Sequence, residues 1–162
     1  MSDSLEIKVY NAALGGRVSE VSSLLRDHSD INVNWCEEWS KWTPLHTASS
    51  HGHVQVAKLL LAHPNINVNL KSSGGQTPLS LGCGRGKVSV VQLLLKDPRV
   101  DVTLEDDSGC TPLWWASYDG HHEVIESLLA SGRDLGDVRN KKGKGWGDKD
   151  YSALEIASEY ED

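Results

Sequence analysis

Phenylalanine is missing from the sequence, and methionine occurs only once. Six Trp stand beside that absence, each a large side chain with one N–H donor, so their positions matter. Cysteine is scarce too. Cys36, Cys83 and Cys110 are an odd number without C-x-x-C spacing, which argues against a disulfide framework and for a reducing compartment. Long apolar runs are absent, so no membrane span is expected. Positive charge is in deficit: 16 Lys and Arg face 23 Asp and Glu, a net charge of −7. Phosphate-backbone binding depends on clustered Lys and Arg, so nucleic acid is not the expected partner. An acidic surface suits a basic or neutral protein better. The opening "MSDSLEIKVYNAALGG" holds no apolar stretch of a secretory signal. A soluble cytoplasmic protein (nuclear as an option), monomeric by itself, is the expectation.

What is present is one word written three times. "TPLH" at 43–46, "TPLS" at 77–80 and "TPLW" at 111–114 start 34 residues apart. A fixed period of this size points to a stacked array of supersecondary units. Other columns agree: Gly52, Gly86 and Gly120; Val56, Val90 and Val124; Leu60, Leu94 and Leu128. An earlier stretch, "AALGGRVSEVSSLLRDHSDINVN" at 12–34, keeps the pattern without the word and with a shift of 35 or 36.

Each copy has the same physical grammar. The Thr hydroxyl caps a helix and Pro suits its first turn. The short helix stops near the glycine column, where a left-handed backbone is tolerated. A second helix follows, from about Val54 to Ala62, with Val54, Ala57, Leu60 and Leu61 on one apolar face. Pro64 and Pro98 mark where that helix cannot continue. An extended "NVN" or "DVT" and a polar turn then lead to the next Thr-Pro.

"TPLHTASSHGHVQVAKLLL" resembles the ankyrin repeat, whose signature is T-P-L-H-x-A. The resemblance runs over about residues 8–160 and is similar in style to arrays common in fungal proteins. It implies an all-α solenoid of stacked helix–turn–helix units with β-turn fingers, forming a single domain over 1–162. The approximate copies are 1–35, 36–69, 70–103 and 104–137. A partial copy over 138–162 follows, in which "SAL" stands for Thr-Pro-Leu, with an inserted loop near 140–150. The 34-residue step is one longer than the family's usual 33.

Chemistry-bearing constellations are weak. His51-Gly-His53 with Cys36 or His46 does not meet metal-ligand spacing, and His46, His53 and His121 fall in columns the family uses structurally. "GCGRGK" at 82–87 resembles a phosphate loop, but Lys87 is followed by Val88 rather than Ser or Thr. No nucleophile–base set can be assembled. The "KKGKGWGDK" run is read as a solvated loop, with contact to an acidic partner or nucleic acid as the alternative. No enzyme, metal or cofactor is expected.

The resemblance instead implies protein binding on the concave side, at finger tips and exposed first-helix positions. Carried over column by column, the finger candidates are Trp39, Ser40 and Trp42, then Ser73, Gly74 and Gln76, then Asp107, Ser108 and Cys110. The palm candidates are Ser50, His51, Gly84, Arg85, Tyr118 and Asp119. Trp and Arg are the side chains that most often dominate binding energy. Trp35 is a candidate to pack under its finger. Trp115, in the column of Thr47 and Leu81, is expected in the core. Trp114 replaces the motif His, and either fills its space or leans on the palm near Tyr118. A non-catalytic interaction module for a protein or peptide partner is the expected function. The alternative is a targeting or regulatory segment of a larger enzyme or signalling protein, suggested by the shortened fifth copy.

Overall fold

A computed structural model describes residues 4–136, 142–144 and 150–152. Helices come in pairs along the chain: α1 (Leu5–Leu14) with α2 (Val18–Asp27), α3 (Pro44–His51) with α4 (Val54–Leu61), α5 (Pro78–Gly84) with α6 (Val88–Leu95), and α7 (Pro112–Tyr118) with α8 (His122–Ala130). First helices pack in the order α1, α3, α5, α7, and second helices in the order α2, α4, α6, α8. The result is an all-α stack in which each copy touches its neighbours. The first copy's extra residue lies between Gly16 and Ile31, where α2 has ten residues against eight in α4.

The repeated word works as the sequence predicts. Thr43, Thr77 and Thr111 are the N-caps, and each hydroxyl accepts the backbone N–H three residues on. The fourth letter varies, and so does the chemistry. His46 Nδ1 accepts the Thr43 N–H at 3.1 Å, which leaves the ring proton on Nε2 to donate to the Gln76 carbonyl of the next copy at 3.1 Å. Burial holds this imidazole neutral, with its pKa down to about 4. Ser80 closes the same box with a hydroxyl that accepts from Thr77 N–H at 2.8 Å. Trp114 cannot accept, and it fills the volume instead: it is 2% exposed and stacks on Tyr118 at 4.9 Å. Both roles left open for Trp114 are thus combined.

Between the helices of a pair, His53 Nε2–H donates to the Leu14 carbonyl and His121 Nε2–H to the Gly84 carbonyl, each in the preceding copy. Gly16 and Gly86 lie under these rings with positive φ. A Cβ there would come within 2.7 Å of the imidazole. Only glycine meets both demands.

The core is one continuous cluster of Val, Leu, Ile and Ala along the stack, with Leu45, Leu60, Leu79, Leu94 and Leu128 fully enclosed. Burying each Leu contributes about 2 kcal/mol.

The "NVN" and "DVT" segments are turns, contrary to the extended reading. Asn32, Asn67 and Asp101 each accept the N–H two residues on, and this local bond bends the chain. In the first two segments the residue two on then bridges copies. Asn34 donates to the Asn65 carbonyl at 2.7 Å and accepts the Asn67 N–H at 2.8 Å. Asn69 does the same with Arg99 O and Asp101 N, at 2.8 and 2.9 Å. Arginines tie the stack in the other direction. Arg99 donates to Leu61 O, and Arg133 to Leu95 O, Asp97 O and Val100 O.

From the expected inserted loop, β1 (Lys142–Lys144) pairs antiparallel with β2 (Asp150–Ser152), which starts at the loop's end and runs on to Ser152, the residue expected to stand for the capping Thr; the sequence did not predict this ladder. The rest of that insert and the helix expected over the partial fifth copy lie outside the described residues.

Candidate partner-binding face

The three fingers share one construction. A backbone ladder bond closes each: Glu37 N–H to Trp42 O, Ser72 N–H to Gln76 O, and Asp106 N–H to Cys110 O. The first residue of each closure then turns its side chain inward to accept loop N–H groups. Glu37 accepts from Trp39 N, Ser40 N and Ser40 Oγ at 2.9, 2.7 and 2.6 Å. The Ser40 hydroxyl above all, with these backbone donors, holds the Glu37 carboxyl down at about 2. Ser72 Oγ and Asp106 Oδ1 fill the same role in the other two. Neighbouring fingers are joined by Ser73 N–H to Ser40 O and Asp107 N–H to Gly74 O. These bonds pair Ser40 with Gly74 and Ser108 by the 34-residue step, so the first finger's additional residue falls at its tip, beside Trp39. Trp39 is 84% exposed.

One groove opens between fingers and palm. It encloses about 260 Å³ and is lined by Trp42, Gln76, Ser80, Leu81, Gly84, Arg85, Trp115 and Asp119. Its shape follows from the columns. Copies two and four contribute an indole each, Trp42 and Trp115, while copy three between them contributes the small residues Ser80 and Gly84 as floor. A Cβ at Gly84 would meet Trp115 Cβ at 3.4 Å and Asp119 Oδ2 at 3.5 Å, which places that carboxylate oxygen directly over the floor.

The groove gathers Trp42, Gln76, Gly84, Arg85 and Asp119 from the expected set. Trp39, Ser73, Gly74, Asp107 and Ser108 lie exposed along the fingers. Ser40 is half-buried and committed to Glu37. His51 is exposed at the helix end, bonded to Thr47 O and stacked on His53. Tyr118 is half-buried against Trp114. Two candidates are corrected. Cys110 is fully buried under its finger, and Ser50 is 6% exposed between first helices, so neither presents a side chain to a partner. Cys110 closes its hairpin with backbone groups, and its small side chain turns inward.

Trp115 keeps only part of the core placement expected of it: it packs against the core without entering it, and also lines the groove. Thr47 and Leu81 in its column are 0% and 4% exposed, but an indole exceeds that slot and carries an N–H that needs an acceptor. It stays half-buried and donates to Asp106 Oδ2 at 2.8 Å. The signal was an oversized ring in a small column with an acid nine residues earlier. Tyr10 was missed as well. It packs edge-on against half-buried Trp35 at 5.7 Å.

Charge on the rim is unevenly matched. Arg85 and Asp119 share one column in successive copies. Ion pairs among the described residues are Arg17–Glu20, Arg26–Asp27 and Asp97–Arg99, so the rim pair makes none. Desolvation raises the Asp119 pKa, with His121 and Arg85 pulling the other way. No group of three or more His, Cys, Asp or Glu arranged for a metal ion exists among the described residues. No described helix is long and apolar enough to cross a membrane.

Comparison with known families fits this geometry. A family model described as ankyrin repeats (3 copies) matches residues 9–72, 67–139 and 84–161. Curated proteins give no match. Repeats of this kind are generally protein–protein interaction modules, and the matches together span nearly the whole sequence. The chain belongs to the ankyrin-repeat family.

Proposed function

We propose that this chain is a non-catalytic interaction domain that binds a protein or peptide segment in its concave groove. The supporting observation is the groove itself: two half-exposed indoles, from copies two and four, stand over a floor of small residues in copy three. The side chains repeat in type behind the groove and change in type inside it. That is the distribution expected when stacking and recognition are carried by different columns.

The test is a peptide-display selection on the wild-type protein, followed by affinity measurements on Trp42→Ala and on Trp39→Ala. Binding should weaken for Trp42→Ala by about 2 kcal/mol or more, the size of an anchoring aromatic. Circular dichroism should show both variants folded. Selected peptides that bind wild type and Trp42→Ala equally would move the site off the groove.

A further inference from the structure

Resting on that reading, we infer the chemistry of the occupant: a basic peptide segment that inserts one arginine or lysine side chain between Trp42 and Trp115, with its cation against Asp119. Three observations converge. Trp42 and Trp115 both line the groove, and no ring contact between them closes it. The faces of indoles attract cations and repel anions. Asp119 Oδ2 lies 3.5 Å from the place where a Gly84 Cβ would stand, so the carboxylate overhangs open floor, and it receives no hydrogen bond from a described residue. A carboxylate so placed is a ready acceptor for an ammonium or guanidinium. The chain's net charge of −7 favours approach of a basic segment.

Volume is consistent as well. The groove's 260 Å³ is enough for one long side chain and too little for a folded element. Gly84 is central to this. Its equivalents are Ser50 and Tyr118, and a side chain of the latter size would fill the space between the indoles. Trp115 is fixed in place by its bond to Asp106, so one wall is set before any ligand arrives. Arg85, on the rim beside Asp119, is the opposing charge. It is exposed on a long side chain and forms no ion pair with a described residue. It lowers affinity for a cation, and its removal should raise it. A groove built for an acidic side chain would behave in the opposite way.

The experiment uses two small probes, Nα-acetyl-arginine methylamide and Nα-acetyl-glutamate methylamide, titrated into the isotopically labelled full chain. The indole N–H signals of Trp42 and Trp115 are the readout. The arginine probe should shift both saturably, and the glutamate probe should not. Asp119→Asn should weaken the arginine probe about fivefold or more, and Arg85→Gln should strengthen it. Circular dichroism and the remaining indole signals report that the variants are folded. A glutamate probe that binds while arginine does not, or an Asp119→Asn variant with unchanged arginine affinity, overturns the inference. The outcomes also separate the two readings. Display-selected peptides that need Trp42 but show no Arg or Lys preference would leave the groove as the binding site and remove the cation. Peptides indifferent to Trp42 would remove both.

Discussion

The joints between copies and the groove face are built on opposite rules. Behind, two neighbouring copies make each joint bond with the same residue type. Asn34 and Asn69 both clamp the following copy through donor and acceptor, and Arg99 and Arg133 both reach back to carbonyls of the preceding one. In front, one column reads Trp42, Gln76, Cys110 and another reads His51, Arg85, Asp119. A stack needs every joint to be alike. A recognition surface needs every position to differ. The two patterns share one chain because they occupy different positions within each copy, and the 34-residue step keeps each position in its own column.

The largest effect belongs to the shared interior. Leu94→Ala empties a fully enclosed site and should cost about 3 kcal/mol, measured by urea unfolding. Affinity of groove ligands at low temperature should stay unchanged. A loss of affinity in the folded variant would break the separation of stack from face.

The next contrast lies between two caps. His46 and Ser80 do the same job, but only His46 titrates. Its folded pKa is about 4, against an ordinary value of 6.5. The unfolded chain therefore takes up this proton first as pH falls. Stability from this residue is complete above 6.5 and is lost between 6.5 and 4, to a total of about 3 kcal/mol. Thermal melts across that window should show the slope, and His46→Ser should flatten it. Glu37 acts in a lower window. Its depressed pKa adds stability above 4.5 that disappears toward 2. A melt series that is flat in wild type from 6.5 to 4 would mean that His46 is not buried as a neutral ring.

Smaller effects sharpen the comparison further. Asn69→Ala removes two inter-copy hydrogen bonds at an exposed joint and should cost about 1 kcal/mol. Hydrogen exchange should rise at Asp101 in particular. Lys41 gives the smallest and the only favourable change. It has φ 57, in the column where Gly75 and Gly109 have φ 77 and 76. Lys41→Gly should raise stability by up to about 1 kcal/mol in chemical denaturation. No gain would mean that the first finger draws other support from its lysine.

Much of the fold was legible because repetition amplifies weak local signals. Thr43, Pro44 and Gly52 mark a helix start and stop, and two later copies restate them. The site was legible only in part. Arg85, Asp119, Gln76 and Trp42 follow from their columns, since a column fixes where a backbone position faces. It does not fix whether the side chain fits there. Trp115 and Cys110 show both failures. One ring is too large for a buried column, and one small side chain turns inward from a column that is half-exposed in the first finger. The bent "NVN" segments were missed because an Asn side chain bonding two residues ahead competes with extension, and alternation of polar and apolar residues does not reveal which wins.

The bond from Trp115 to Asp106 has one more consequence. An indole that is free to turn loses rotational entropy when a ligand stops it, and this loss subtracts from affinity. Here the ring is already stopped, by the same carboxylate that accepts the N–H groups of the third finger. The wall of the groove and the hairpin above it are thus one mechanical piece, whose ordering cost is met during folding and would not be charged to the proposed ligand.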